Sequence, residues 1–120
     1  MKLTPLSGDK AFDRLRKGKN ARGRLVSVRW LPWYRPRLKD KEGKPIAQEP
    51  MVRIGIVVSK KVGKAVVRNK VRRRIREMVR RMHLPQCELV VTAQPQAAEA
   101  TFQELLKDLS HCLRKSGLLN

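Results

Sequence analysis

The chain has few aromatic residues: two Phe, two Trp and one Tyr among 120. That leaves little for serial base stacking; the aromatic signature of an RRM sheet is missing, as is a KH-type GxxG. Cysteine is also scarce. Cys87 and Cys112 are too few and too far apart for a disulfide framework, and no CxxC pair exists. Together with His83 and His111 they offer zinc-type ligands, but the spacing matches no finger pattern, so two free thiols and two ordinary imidazoles are expected. No apolar run approaches the roughly 20 residues that span a bilayer. The opening "MKLTPLSGDKAF" has no continuous apolar stretch to serve as a secretory core, so a cytoplasmic protein is expected. Ten acidic residues lie scattered, with no carboxylate cluster suggesting a metal-dependent nuclease, and no Ser/His/Asp or Cys/His arrangement is signalled. Gly63-Lys64 is followed by Ala65 and lacks the earlier glycine of a Walker A loop. On these grounds no catalytic residues and no metal site are expected in the chain itself.

What the chain does have is positive charge. Twenty-nine basic residues against 10 acidic ones give a formal net charge of +19. Self-repulsion on that scale works against a compact state, so a polyanionic partner is implied, with nucleic acid ahead of a membrane surface. The length suits one domain, residues 1–120, with a modest core.

The hydrophobic pattern gives the order of elements. "DKAFDRLRKG" places Phe12 and Leu15 on a short helix that stops at Gly18. "GRLVSVRWL" alternates, with Val26, Val28 and Trp30 on one face and Leu25, Ser27 and Arg29 on the other, as in a half-buried strand. The stretch from about 32 to 50 holds four prolines and many charges and reads as a long, mobile connection. "MVRIGIVVS" is a second strand, "CELVVTAQ" another, and "TFQELLKDLSHCLRK" a closing helix with Thr101 and Glu104 as a capping box. An α+β sandwich with helices on a small sheet follows.

Between those last strands lies "AVVRNKVRRRIREMVRR", with Arg or Lys at 68, 70, 72, 73, 74, 76, 80 and 81. At about 100° per residue, Val67, Ile75, Met78, Val79 and Met82 fall within roughly 80° of Val71, which marks the core-facing stripe. Diametrically opposite, Asn69, Arg73, Arg76 and Arg80 form one straight polar line. Arg68 and Arg72 flank it on one side; Lys70, Arg74 and Arg81 lie on the other. Solvated helix faces usually mix signs, whereas here only Glu77 interrupts, positioned to pair with Arg73, Arg80 or Arg81. An external phosphate backbone is the natural complement. Asn69 adds a neutral donor and acceptor near the helix start, where free backbone N–H groups also favour an anion.

The run "RIGIVVSKKVGKAVVRNKVRRRIREMVRR" closely resembles the signature of the bacterial ribonuclease P protein subunit. Agreement extends to "FDRLRKG", "ELVVTAQP" and the closing helix, leaving only the loop from about 32 to 50 without a clear counterpart. The resemblance implies an α-β-β-β-α-β-α fold with a left-handed βαβ crossover, against the usual right-handed rule. It implies a subunit of a ribonucleoprotein endoribonuclease that removes the 5′ leader of precursor tRNA. Its partners would be a catalytic RNA and precursor tRNA, with no membrane and no DNA. Mg2+ would be the cofactor, held mainly by the RNA and the substrate.

Residue by residue, Arg68, Asn69 and Lys70 occupy the family's RNR position, and Arg72, Arg73 and Arg76 its following basic positions. Lys60 and Lys61 of the SKK element and Arg80 of the polar line complete the expected RNA-binding set. Phe12 matches the aromatic of the family's leader cleft, although with Leu15 it could instead anchor the helix. Arg16 stands where the family often has a second aromatic, which implies a guanidinium contact in place of double stacking. Arg29 faces the cleft with Ser27, and Trp30 the core. A structural RNA-binding protein such as a ribosomal protein is the alternative that composition alone leaves open; a DNA-packaging protein is weaker, lacking a groove-reading element.

Overall fold

The structure is a computed structural model that describes residues 1–34 and 38–120. The elements run β1 (Lys2–Pro5), α1 (Asp9–Leu15), β2 (Lys19–Arg22), β3 (Val26–Pro32), β4 (Met51–Val58), α2 (Ala65–Arg80), β5 (Cys87–Ala93) and α3 (Phe102–Lys115), with short 3-10 turns at Lys60–Val62 and Pro95–Ala98. From α1 onward this is the expected α-β-β-β-α-β-α order, and β1 is an addition ahead of it. The strands form one sheet in the order β1-β4-β5-β3-β2. β4 and β5 are parallel neighbours joined through α2, which makes the βαβ unit; β3 runs antiparallel to β5.

The sheet divides the molecule into two unequal layers. Alternate residues Val26, Val28 and Trp30 of β3, Val52 and Ile54 of β4, and Leu89 and Val91 of β5 form one face. Against it pack Val71, Ile75, Met78 and Val79 of α2 and Leu105, Leu109 and Leu113 of α3, giving the main core. The stripe expected on α2 is therefore the buried one. Trp30 lies in this core, its indole N–H donating to the carbonyl and hydroxyl oxygens of Ser116 at 3.2 and 3.1 Å. On the other face α1 is the one helix among the described residues; its Ala11 and Leu15, with Leu6, form a small cluster over Leu31 and Val90.

Two polar devices lock these layers. Asp108 of α3 accepts the backbone N–H groups of Arg24, Leu25 and Val26 at 3.3, 2.9 and 3.0 Å, fixing the turn into β3. The capping box at Thr101 is present, with reciprocal bonds of 3.0 and 3.1 Å to Glu104. Residues 35–37 of the expected proline-rich connection lie outside the described residues. Within the rest, Lys39 bridges Pro45, and Asp40 Oδ1 accepts the N–H groups of Glu42 and Lys44, both at 2.9 Å, so 38–46 closes as a small exposed hairpin turn.

Candidate nucleic-acid interface

α2 offers its basic line to the outside. Asn69, Arg73, Arg76 and Arg80 are all exposed, opposite a stripe in which Ile75 is wholly buried. Glu77 is held by Arg81 at 3.1 Å and Arg80 at 3.4 Å, not by Arg73. Among the described residues no ion pair engages Lys70, Arg73 or Arg76, so their charges remain available. Arg72 donates to Asn69 Oδ1 at 3.2 Å, which leaves the amide N–H₂ of Asn69 for a ligand. Arg68 is half-buried, and its Nε has no hydrogen-bond partner among the described residues. A buried unpaired donor costs about 1–3 kcal/mol. No side chain caps the first turn of α2, so its N–H groups stay open as well. Lys60 and Lys61 sit exposed on the turn between β4 and α2.

The α1 side of the sheet forms the second region. Strand register sets two rows across it: Asn20, Arg29, Val90 and Gly55, then Arg22, Ser27, Thr92 and Val57. α1 covers only one end of this surface, and Phe12 lies at the margin with 36% of its surface exposed. Its ring rests on β4 at Gly55, where an added Cβ would come within 3.0 Å of the ring edge. Glycine inside an otherwise β-branched strand marks this close approach. Phe12 is thus neither a core anchor nor free in solution: it is a ring held against the floor of an open, polar surface. Arg29 reaches the end of α1, donating from Nη1 to the carbonyl oxygen of Arg16 at 3.2 Å. The Arg16 guanidinium itself lies 3.5 Å from Asp13, both exposed. Phe12 and Arg29 therefore lie on the same face of the sheet, with Arg29 bonded to the backbone of Arg16, while Trp30 points away.

Beneath α1, Glu88 is only 4% exposed and accepts two bonds from Arg14 Nη2, at 3.1 and 3.0 Å. Arg53 stands 3.7 Å from the same carboxylate and stacks its guanidinium 3.6 Å above the Trp33 ring. Sequence reasoning did not single out Glu88, Arg14, Arg53 or Gly55. Only Gly55 carried a local signal, because the ion-pair partners are far apart in the chain.

The chain's own carboxylates do not fit a resident metal. Glu77, Glu88, Glu104 and Asp108 are occupied by cations or backbone N–H groups, and no group of three His, Cys, Asp or Glu side chains lies together among the described residues. The zinc ligands considered from the sequence are not brought together either. Cys87 and Cys112 are buried in the core while His83 and His111 are exposed, and burial pushes the Cys87 thiol up to about 12. No helix among the described residues is long and apolar enough to cross a membrane.

Residues 2–117 match the family model described as Ribonuclease P. The ribonuclease P protein component of Thermus brockianus is 55% identical over 118 residues, and that of Thermus thermophilus 58% over the same number, each covering 98% of this chain. The chain spans 63% of the length of each of these relatives. Among solved structures, the RNase P protein of Staphylococcus aureus superposes with a TM-score of 0.73 at 29% identity, covering 97% of both chains. With a family match over residues 2–117 and relatives 55% and 58% identical, the chain belongs to the ribonuclease P protein family.

Proposed function

We propose that this chain is the protein subunit of ribonuclease P, which binds a catalytic RNA through α2 and the 5′ leader of precursor tRNA on the open face of the sheet. The basic line of α2 carries this reading: four exposed polar positions back to back with a buried apolar stripe; of the four, Arg73 and Arg76 have no acidic partner among the described residues while Arg80 meets Glu77. A phosphate backbone supplies the missing counter-charge, and each contact releases counterions. Asn69, with Arg68 and Lys70 beside it, contributes hydrogen bonds to the same surface; Lys60 and Lys61 extend it past the start of the helix.

On the opposite face, Phe12 offers a ring to one leader base, and Arg16, Arg22 and Arg29 offer cations to its flanking phosphates. A single strand suits this surface because its bases can leave the stack. In this reading the chain binds and orients, and its side chains are not called on for a general base, a nucleophile or a metal site. The bond cleavage is assigned to the RNA partner, with magnesium held mainly by that RNA and the substrate. A cytoplasmic location goes with this role.

Reconstitution tests the reading. Purified chain should leave precursor tRNA intact, and the bacterial ribonuclease P RNA at low magnesium should cleave it poorly. Together they should restore removal of the leader, chiefly through tighter substrate binding. Cleavage by RNA-free chain, or no effect of the chain on the RNA's activity, would overturn it.

A further inference from the structure

The basic line of α2 has a second feature on its Lys70 flank. A groove runs between α2 and the start of α3, walled by Lys70, Arg73, Arg74, Glu77 and Arg80 and closed by the ring of Phe102. Phe102 is the first residue of α3, immediately after the Thr101 cap. The reciprocal Thr101–Glu104 bonds hold that turn, and Arg74 ties the two helices by donating to the carbonyl oxygen of Ala100 at 3.2 Å. The ring is half-buried, packed on the main core by one side, so it cannot swing away. It is a fixed aromatic surface opening among cations, in a chain with five aromatics in all.

The wall is not uniformly basic. Glu77 lies in it, held by Arg80 and Arg81, so the wall offers acceptor oxygens beside its cationic donors, a mixture that a bare phosphate, itself an acceptor, does not match. A nucleobase suits that spot better: its face stacks on the phenyl ring and its N–H edge finds the carboxylate. Lys70 and Arg73 at the mouth then meet the phosphates on either side. The groove lies on the helix layer, across the sheet from Phe12 and Arg29, so it belongs with the RNA on α2 and not with the leader.

We infer that the Phe102 groove is a binding subsite for one unpaired nucleobase of the catalytic RNA, a stacking anchor added to the phosphate contacts of α2. The inference rests on the reading of α2 as the catalytic-RNA surface. It separates from phosphate binding in one respect: stacking releases no counterions, so it contributes affinity without salt dependence.

The test compares Phe102→Leu and Phe102→Trp with the unaltered chain for binding to ribonuclease P RNA across a salt series, with Arg73→Ala as the phosphate control. Phe102→Leu keeps an apolar side chain on the core and loses the ring. It should weaken binding by about 5- to 100-fold with the log–log salt slope unchanged. Phe102→Trp should bind within a few-fold of the unaltered chain. Arg73→Ala should shallow the slope. If Phe102→Leu binds as the unaltered chain does while Arg73→Ala shallows the slope, the subsite is wrong and the α2 reading stands. Equal weakness in Phe102→Leu and Phe102→Trp, or a loss seen only in precursor-tRNA binding by the assembled holoenzyme, also removes it. If the unaltered chain does not bind the RNA, the underlying reading fails.

Discussion

The two faces of the sheet are built from the same strands yet do opposite things. On β4, Val52 is wholly buried beneath the helices, whereas Val57 on the other face is 40% exposed. On β3, Val26, Val28 and Trp30 enter the core, and Ser27 and Arg29 between them line an open surface. A sheet that spends one face on two amphipathic helices obtains most of its stability there. The other face, on which α1 is the one helix among the described residues, carries Arg22, Arg29 and a half-exposed ring. The lesson is a separation of tasks: substitutions on the helix-covered face should report on folding, and those on the open face on binding.

The sharpest break of that contrast uses one chemical change in two places. Ile75→Asp buries an unpaired carboxylate against the sheet, which costs several kcal/mol, comparable with the total stability of a small domain. Circular dichroism should show loss of cooperative melting. Val57→Asp, on the open face, should cost less than about 1 kcal/mol and instead weaken precursor tRNA by placing a negative charge in its path. Normal melting of Ile75→Asp would put the α2 stripe on the wrong side.

Phe12→Ala comes next, with an expected loss of about 1 to 3 kcal/mol in binding of precursor tRNA by the holoenzyme. Mature tRNA, lacking a leader, should bind as before. Gly55→Ala should produce a weaker form of the same contrast, since its new Cβ would stand 3.0 Å from the ring and force it to shift by a few tenths of an ångström. Equal losses for the two RNAs would return Phe12 to a packing role.

A smaller effect is expected at Glu88, the one buried charge on the open face among the described residues. Glu88→Gln keeps the shape but weakens the bonds from Arg14 and the pairing with Arg53. Because both guanidiniums can turn to water, the stability loss should be about 1.5 kcal/mol, measured by urea titration. A loss near zero would mean that solvent already screens the pair.

The helix-covered face was legible because it follows periodicity. The 3.6-residue stripe of α2, the Leu positions of α3 and the alternation of β3 each repeat within one segment, and Thr101 with Glu104 carries its cap in four residues. The open face was legible only in part. Phe12, Arg16 and Arg29 could be placed by resemblance and alternation. β1 and β2 could not be read: "KLTP" and "KNAR" are edge strands of four residues each, and their pairing depends on Met51–Ile54 and Ser27–Trp30 rather than on any pattern of their own. Glu88 sat in an apolar run with nothing to show that Arg14, 74 residues earlier, would meet it. Asp108 likewise reads as a solvent-facing helix residue until β3 brings three N–H groups to it. Contacts of that kind are set by topology, not by local sequence.

The central claim is that the basic line of α2 meets RNA phosphates while the stripe behind it holds the fold. The most direct test is the salt dependence of binding to ribonuclease P RNA by an Arg73→Ala/Arg76→Ala double variant, measured beside its thermal melt. Each lost phosphate contact should shallow the log–log slope by roughly 0.7 to 0.9, with the melt close to that of the unaltered chain because both side chains are exposed. A slope equal to that of the unaltered chain would show that this line faces solvent in the complex and would contradict the account.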